Sequence, residues 1–430
     1  MRLDHQNRAS VVCAALLCLT VLAPCASAAA ESVVAAVNAH DIAALEGMAK
    51  LAQTPQQRAL AAGSLLAMRR EDAQGIAILM PVTRSMANRV LRATAYRLLG
   101  YLYYRDERYR ACYSAFHSGL QLSSQSLDPN DRQDMAQCQT LEGVKPMRLV
   151  RDTPGSLPVT RDSLDLMRVP VKIDSDTHEA IVDTGAGLSV ISVSAAKRAG
   201  IQMLNSQGLS TGTASERALA VRLGIARRLQ IGNAMLTNVV FLVLPDAALR
   251  LPHDRINAII GVPVLMALGP RLEFVNSAKS ALLYDVANGN SAGTAGSDSH
   301  LIFYEDILMI LVQIPGVRKP LGMFLDTGTT SSELAHGAIV DAPALLRHAE
   351  RHALPLVGAG GTVKEVHGLI LPDVTLIIGG RRFKLKKVPV NSATSAISSY
   401  GADGNIGQDI LRQGAGWIVN FKTMTLAVAK

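Results

Sequence analysis

Ala180-Ile-Val-Asp-Thr-Gly185 and Met323-Phe-Leu-Asp-Thr-Gly328 are two apolar runs, each closed by the same tripeptide. Three apolar residues in succession read as a buried strand, and the glycine behind them permits a tight turn. One such tripeptide is weak evidence. Two carry weight here because their surroundings also match. Val169-Pro-Val-Lys-Ile173 precedes the first and Ile310-Leu-Val-Gln-Ile314 the second. Ala258-Ile-Ile-Gly-Val-Pro-Val-Leu265 follows the first, and Asn405-Ile-Gly-Gln-Asp-Ile-Leu411 the second. Asp183 precedes Asp326 by 143 residues and Gly261 precedes Gly407 by 146, so three features recur at nearly constant offset. That is the signature of an internal duplication, with two segments of short strands built to one plan.

The chain around them has 430 residues, room for two or three domains. Hydrophobic residues make up 49% and charged residues 18%, which excludes a chain too polar and too charged to fold. The net charge of +8 is spread along the sequence, with no aromatic-interleaved basic motif or zinc spacing, so nucleic acid is not an expected partner. Ala287-Asn-Gly-Asn-Ser-Ala-Gly-Thr-Ala-Gly-Ser-Asp-Ser-His300 is nearly uncharged and rich in small residues, the composition of a flexible connector. The expected division is a first β segment over 166–286, this connector over 287–300, and a second β segment over 301–430. Residues 146–165, with Pro and Gly between polar positions, read as a linker.

The doubled Asp-Thr-Gly loop, each copy after an apolar strand and before a downstream Gly segment, resembles the aspartic proteases of the retropepsin and pepsin type. The resemblance covers roughly Leu166 to Lys430 and implies an all-β, bilobal acid-protease fold with one loop from each lobe. It makes Asp183 and Asp326 the catalytic pair, acting on a protein or peptide substrate without metal or cofactor. It gives Thr184 and Thr327 the task of cross-bracing the loops. Gly185 and Gly328 form the turns, and Ser189 and Ser332 match the family's small hydroxyl position. Gly261 and Gly407 open the helices packed behind the loops. Substrate-covering hairpins are expected near Gly212 and Thr213 in the first lobe and near Gly360 and Gly361 in the second; neither carries the flap tyrosine of pepsin-like enzymes. The loops differ at Ala186 and Thr329. A threonine hydroxyl can donate to the neighbouring carboxylate and favour its charged form, so Asp326 is expected to hold the negative charge and Asp183 the proton.

Other chemistry is poorly represented. The ten histidines show no HExxH or other ligand spacing, and no GxSxG elbow or Cys-His pair suggests a covalent nucleophile. Trp417, in Gly-Ala-Gly-Trp-Ile-Val-Asn-Phe, reads as core of a closing strand.

The N-terminus has the order of a secretory signal peptide over 1–28: Arg2 and Arg8, an apolar run from Val11 to Leu22, then Ala26-Ser27-Ala28. The expected protein is exported, periplasmic or secreted, with no stable membrane insertion after cleavage, and monomeric. A lipoprotein at Cys25 is disfavoured by Pro24, and an uncleaved anchor is the remaining alternative. Cys13, Cys18 and Cys25 leave with the signal, so Cys112 and Cys138 remain, either as one disulfide or as two buried thiols. Both fall in residues 31–145, where apolar residues recur at helical spacing. Tyr96, Leu99, Gly100, Tyr103, Tyr109, Cys112, Phe116, Gly119 and Leu120 resemble a tetratricopeptide repeat, with a fainter copy at Gly63, Leu66 and Leu79. This all-α segment reads equally as a small bundle or as a peptide-docking groove. For the whole chain the sequence points to an aspartic endopeptidase; the alternative is a non-catalytic peptide-binding or scaffold protein on the same fold.

Overall fold

A computed structural model describes residues 31–85, 88–124, 127–151, 154–206, 208–211, 219–251, 254–277, 279–285, 299–358, 361–391 and 401–428. The signal-peptide segment, Gly212, Thr213 and Gly360, and most of the 287–300 connector lie outside these residues. The chain forms two compact units, one up to Asp106 with Ala111–Met135, the other Glu107–Arg110 with Ala136 onward.

The first unit is helical: α1 (31–38), α2 (Ile42–Leu51), α3 (Pro55–Met68), α4 (Asp72–Arg84) and α5 (Arg89–Arg105), then α6 (Tyr109–Leu122) and α7 (Pro129–Leu141), which run on into the cut between units. Local chemistry sets several starts. Thr54 and Gln57 form a reciprocal capping box ahead of Pro55, and Asp41 and Asn88 cap α2 and α5. Asp128 and Asp131 exchange the same kind of bonds at α7, with backbone donors at 2.9 and 2.7 Å. Asp131 is fully buried and also accepts from the Tyr101 hydroxyl at 2.7 Å. Cys112 and Cys138 are disulfide-bonded.

Two glycines set how closely these helices approach. A methyl at Gly100 would stand 2.7 Å from the ring of Phe116, and one at Gly63 would stand 2.6 Å from Leu79. The two contacts have the same sequence offset, so the fainter copy shares the packing device of the stronger one. Phe116 is fully buried and held edge-on to Tyr101 at 5.1 Å, so its ring cannot retreat. Gly100→Ala is therefore expected to cost about 1–3 kcal/mol by overpacking, read as a lower urea midpoint with unchanged helicity.

The second unit is β-rich. Six strands close on themselves: β4 (Met167–Ile173), β5 (Asp176–Val182), β6 (Ser189–Ser192), β10 (Arg222–Ile231), β11 (Ala234–Leu244) and β14 (Ala258–Ile260), in the cyclic order β4-β5-β14-β6-β11-β10. β1 (Arg148–Arg151), β3 (Thr160–Arg161) and β7 (Gln202–Met203) extend this sheet. Closure removes most free edges, and Val, Ile, Leu and Ala dominate the buried residues of these strands. Two-residue turns with positive φ make its hairpins, at Asp174 (46°) and at Gly232 (54°).

The rest is one ladder of thirteen strands. It begins with β2 (Gly155–Pro158), β16 (Ala281–Asp285), β15 (Arg271–Val275), β25 (Gly416–Asn420) and β26 (Thr425–Val428). It continues through β17 (Ser299–Tyr304), β18 (Ile307–Val312), β19 (Leu321–Leu325), β24 (Gly404–Ile406) and β20 (Glu333–Leu334), and ends with β23 (Arg381–Val390), β22 (Gly361–Ile378) and β21 (Glu350–Gly358). No pairing among the described residues closes this ladder into a second ring. Two small hairpins stand apart, β8 (Ser210–Thr211) with β9 (Leu219–Ala220), and β12 (Arg250–Leu251) with β13 (Asp254–Arg255).

Residues 146–165, linker-like in composition, contribute β1, β2 and β3. Their partners are remote, since β2 pairs with β16 and β1 with β11, so local composition cannot reveal them. Ser299 and His300, at the end of the connector stretch, belong to β17. Trp417 is 1% exposed in β25, donates to the Leu411 carbonyl at 2.6 Å and packs on Phe383.

Candidate functional site

Two copies of one local design bring the Asp-Thr-Gly loops together. β5 ends at Val182 and lies parallel to β14, while β19 ends at Leu325 and lies parallel to β24. Each aspartate begins its loop by donating its backbone N–H to a residue of that parallel partner, Asp183 to Ile260 and Asp326 to Ile406, both at 3.0 Å. Behind the first loop Gly261 caps α9 (Val262–Ala267); behind the second Gly407 caps α11 (Gln408–Leu411). α8 (Val193–Ala199) and α10 (His336–Asp341) follow the two loops in the chain. Ser189 accepts from the Gly261 N–H at 3.1 Å, and Ser332 from the Gly407 N–H at 2.9 Å.

The loops are tied to each other through their threonines. The Thr184 N–H donates to the Thr327 hydroxyl at 3.0 Å, and the Thr327 N–H to the Thr184 hydroxyl at 3.1 Å. Each hydroxyl then donates across to the opposite strand end, Thr327 to the Val182 carbonyl at 2.7 Å and Thr184 to the Leu325 carbonyl. Both threonines are buried. The glycines make this approach possible. A methyl on Gly185 would stand 2.8 Å from the carboxyl carbon of Asp326, and one on Gly328 would stand 2.5 Å from that of Asp183. Gly185 and Gly328 each donate an N–H, at 2.8 Å, to the aspartate two residues earlier.

Each carboxyl thus lies against the glycine of the opposite loop, which brings the two groups together. Burial raises both above the usual carboxylate range, because the charged form has lost its water. They are not equivalent. The Gly185 N–H and the Ala186 N–H favour the charged form of Asp183. Asp326 is raised further, by the charge of Asp183. Both shifts favour the protonated form, and the two groups titrate as one coupled pair. The Thr329 hydroxyl makes no hydrogen bond to Asp326 among the described residues, so the donor on which the assignment of the charge to Asp326 depended is absent.

Several contributors have no counterpart in the sequence pattern. Asp409 accepts from both the N–H and the hydroxyl of Ser332, at 2.9 and 2.7 Å. Gln408, 1% exposed, donates to the Thr327 carbonyl at 2.8 Å and accepts from Arg161 at 3.0 Å. The Asp306 carboxylate lies against Gly187. Of the residues expected to cover the site, Gly361 opens β22 directly opposite Gly358 of β21, at the end of a long hairpin. His336 is exposed, and among the described residues no group of three or more His, Cys, Asp or Glu could hold a metal ion. No helix among the described residues is long and apolar enough to cross a membrane.

Residues 169–264 match the sequence model of the aspartyl protease family. The matched segment runs from β4 into α9 and includes the first loop with Asp183; the second loop lies beyond it. Over this segment the chain is similar to aspartyl proteases. No curated protein matches the chain.

Proposed function

We propose that the chain is an aspartic endopeptidase that hydrolyses peptide bonds with water activated between Asp183 and Asp326. The observation that carries the reading is the pair of half-buried aspartates that two threonine-locked loops bring together, each carboxyl against the other loop's glycine. A purely structural loop gains nothing from two carboxyls desolvated side by side, where a neutral amide would cost less. On this reading β18, β19, β20, β24 and α11 repeat β4, β5, β6, β14 and α9 as the second of two lobes, with the substrate cleft between them. The β8–β9 and β21–β22 hairpins cover the peptide.

The chemistry follows from the unequal carboxyls. Ionised Asp183 takes a proton from a water held between the two groups, and the oxygen attacks the scissile carbonyl carbon. Protonated Asp326 donates to the carbonyl oxygen as it becomes an alcohol. The resulting gem-diol collapses as a proton passes to the leaving nitrogen, which expels the amine. Activity requires Asp183 ionised and Asp326 protonated. Because both carboxyls are raised, the activity window should lie in mild rather than strong acid.

The reading extends to an exported, monomeric protein, periplasmic or secreted, whose tetratricopeptide-like helices position a protein substrate or shield the cleft. The test is cleavage of a peptide library between about pH 3 and pH 7, with and without a statine-type inhibitor. Inhibitor-sensitive cleavage supports the proposal. Peptide binding without turnover would instead make the chain a binding protein on this fold.

A further inference from the structure

Behind the two loops the duplication repeats the backbone but not the side chains. α9 and α11 each open on the residue just past the supporting glycine, Val262 in the first copy and Gln408 in the second. Their N–H groups make the same bond, to the carbonyl three residues past the aspartate, Val262 to Ala186 at 2.9 Å and Gln408 to Thr329 at 3.0 Å. Both residues are buried, at 2% and 1% exposure. The valine can only pack, whereas the glutamine carries a donor and an acceptor. A buried amide in place of an apolar side chain costs desolvation unless its polar atoms are bonded. Here its nitrogen and its oxygen each have a partner.

Those bonds lead to Asp326. The Gln408 Nε2 donates to the Thr327 carbonyl at 2.8 Å. That carbonyl and the Gly328 N–H are opposite ends of one planar peptide unit, so fixing the first fixes the direction of the second. The Gly328 N–H donates to Asp326 Oδ1 at 2.8 Å. On its other side, the Gln408 Oε1 accepts from the Arg161 Nη1 at 3.0 Å. A guanidinium only donates and a carbonyl only accepts, so an amide between them has one orientation, with its nitrogen toward the carbonyl. Arg161 is held in turn: its Nη1 also donates to the Asp165 carbonyl at 2.7 Å, and the Asp165 carboxylate pairs with Arg412 at the end of α11. We propose that Arg161 and Gln408 are positioning residues for the second loop. Arg161 sets the Gln408 amide, and the amide holds the Thr327–Gly328 peptide so that its N–H stays aimed at Asp326. Val262 has no donor to offer the matching Thr184–Gly185 peptide, so the device serves one aspartate of the two.

The inference rests on Asp326 belonging to the catalytic pair, so its test has one readout that needs turnover and one that does not. Methionine approximates the reach of either side chain without its hydrogen bonds. Gln408→Met and Arg161→Met are each expected to lower kcat about tenfold with KM unchanged, because a reacting carboxyl is misplaced while contacts to the substrate remain. The two residues act in series, so the double variant should lose no more than Gln408→Met alone. Arg161→Lys can still donate and should recover most of the loss. Without substrate, hydrogen exchange over residues 325–330 should quicken severalfold in both methionine variants, and exchange over 182–187 should change less. Should wild type fail to cleave, the peptidase reading falls while the exchange still judges Arg161 and Gln408. Losses that multiply in the double variant, a loss that appears in KM instead of kcat, or equal exchange changes in the two loops would overturn the inference. Arg161, partly exposed, carries the test if Gln408→Met does not fold.

Discussion

Replacing either Asp183 or Asp326 with asparagine is expected to lower kcat/KM by about 10^4-fold, because on the proposed mechanism each change removes an acid or base acting directly on the reacting atoms. The same substitutions should stabilise the fold at neutral pH. Burial raises both carboxyls in the folded state above their unfolded value near 3.9. Their contribution to stability is thus complete below that value and is lost as pH rises through the folded values. Asparagine carries no such penalty. Relief of about 1 kcal/mol would raise the melting temperature by about 2–4 °C near pH 7, and the gain should vanish in strong acid. Calorimetry across pH reads this directly. A gain of equal size at acid pH, or a variant that still cleaves, would remove that aspartate from the role given to it.

Thr184→Val and Thr327→Val should have the next largest effect. Valine keeps the shape of the side chain but removes a hydroxyl that accepts from one buried N–H and donates to one buried carbonyl. Each orphaned group costs about 1–3 kcal/mol, so either variant should lose several kcal/mol, with the double variant worse. Activity should fall too, since the same bonds set the separation of the carboxyls. Thr→Ser retains the hydroxyl and should recover most of both losses. If denaturant unfolding showed valine and serine to be alike, the contribution would be packing and not hydrogen bonding.

The loops could be read in the sequence because their chemistry leaves little choice of residue. Two carboxyls need two aspartates, the close approach at Gly185 and Gly328 admits no side chain, and the supporting hydroxyls recur at Ser189 and Ser332. Gly261 and Gly407 were legible for the same reason, each lying hard against backbone of the loop in front of it. What escaped depends on partners distant in sequence. Gln408, after Gly407, looks like an ordinary helix start until the Thr327 carbonyl and Arg161 are brought beside it. The proton assignment drawn from Thr329 lost its basis for a similar reason. Thr329 announces a hydroxyl but not its direction, and the N–H of Ala186 that takes part is invisible in a sequence. The strands within 146–165 went unread because β2 finds its neighbour only at residues 281–284.

That sheet also orders events in time. β15 and β16 lie between β2, made early, and β25, made almost last, with Trp417 of β25 paired to Phe274. A nascent chain has Asp183 long before it has Gly407 to hold the second loop or β25 to complete the sheet. Until synthesis nears its end the first loop has no counterpart against which to lock. On the proposed reading such a chain carries its own delay: a half-made copy holds Asp183 without Asp326, and the pair is complete only late in synthesis.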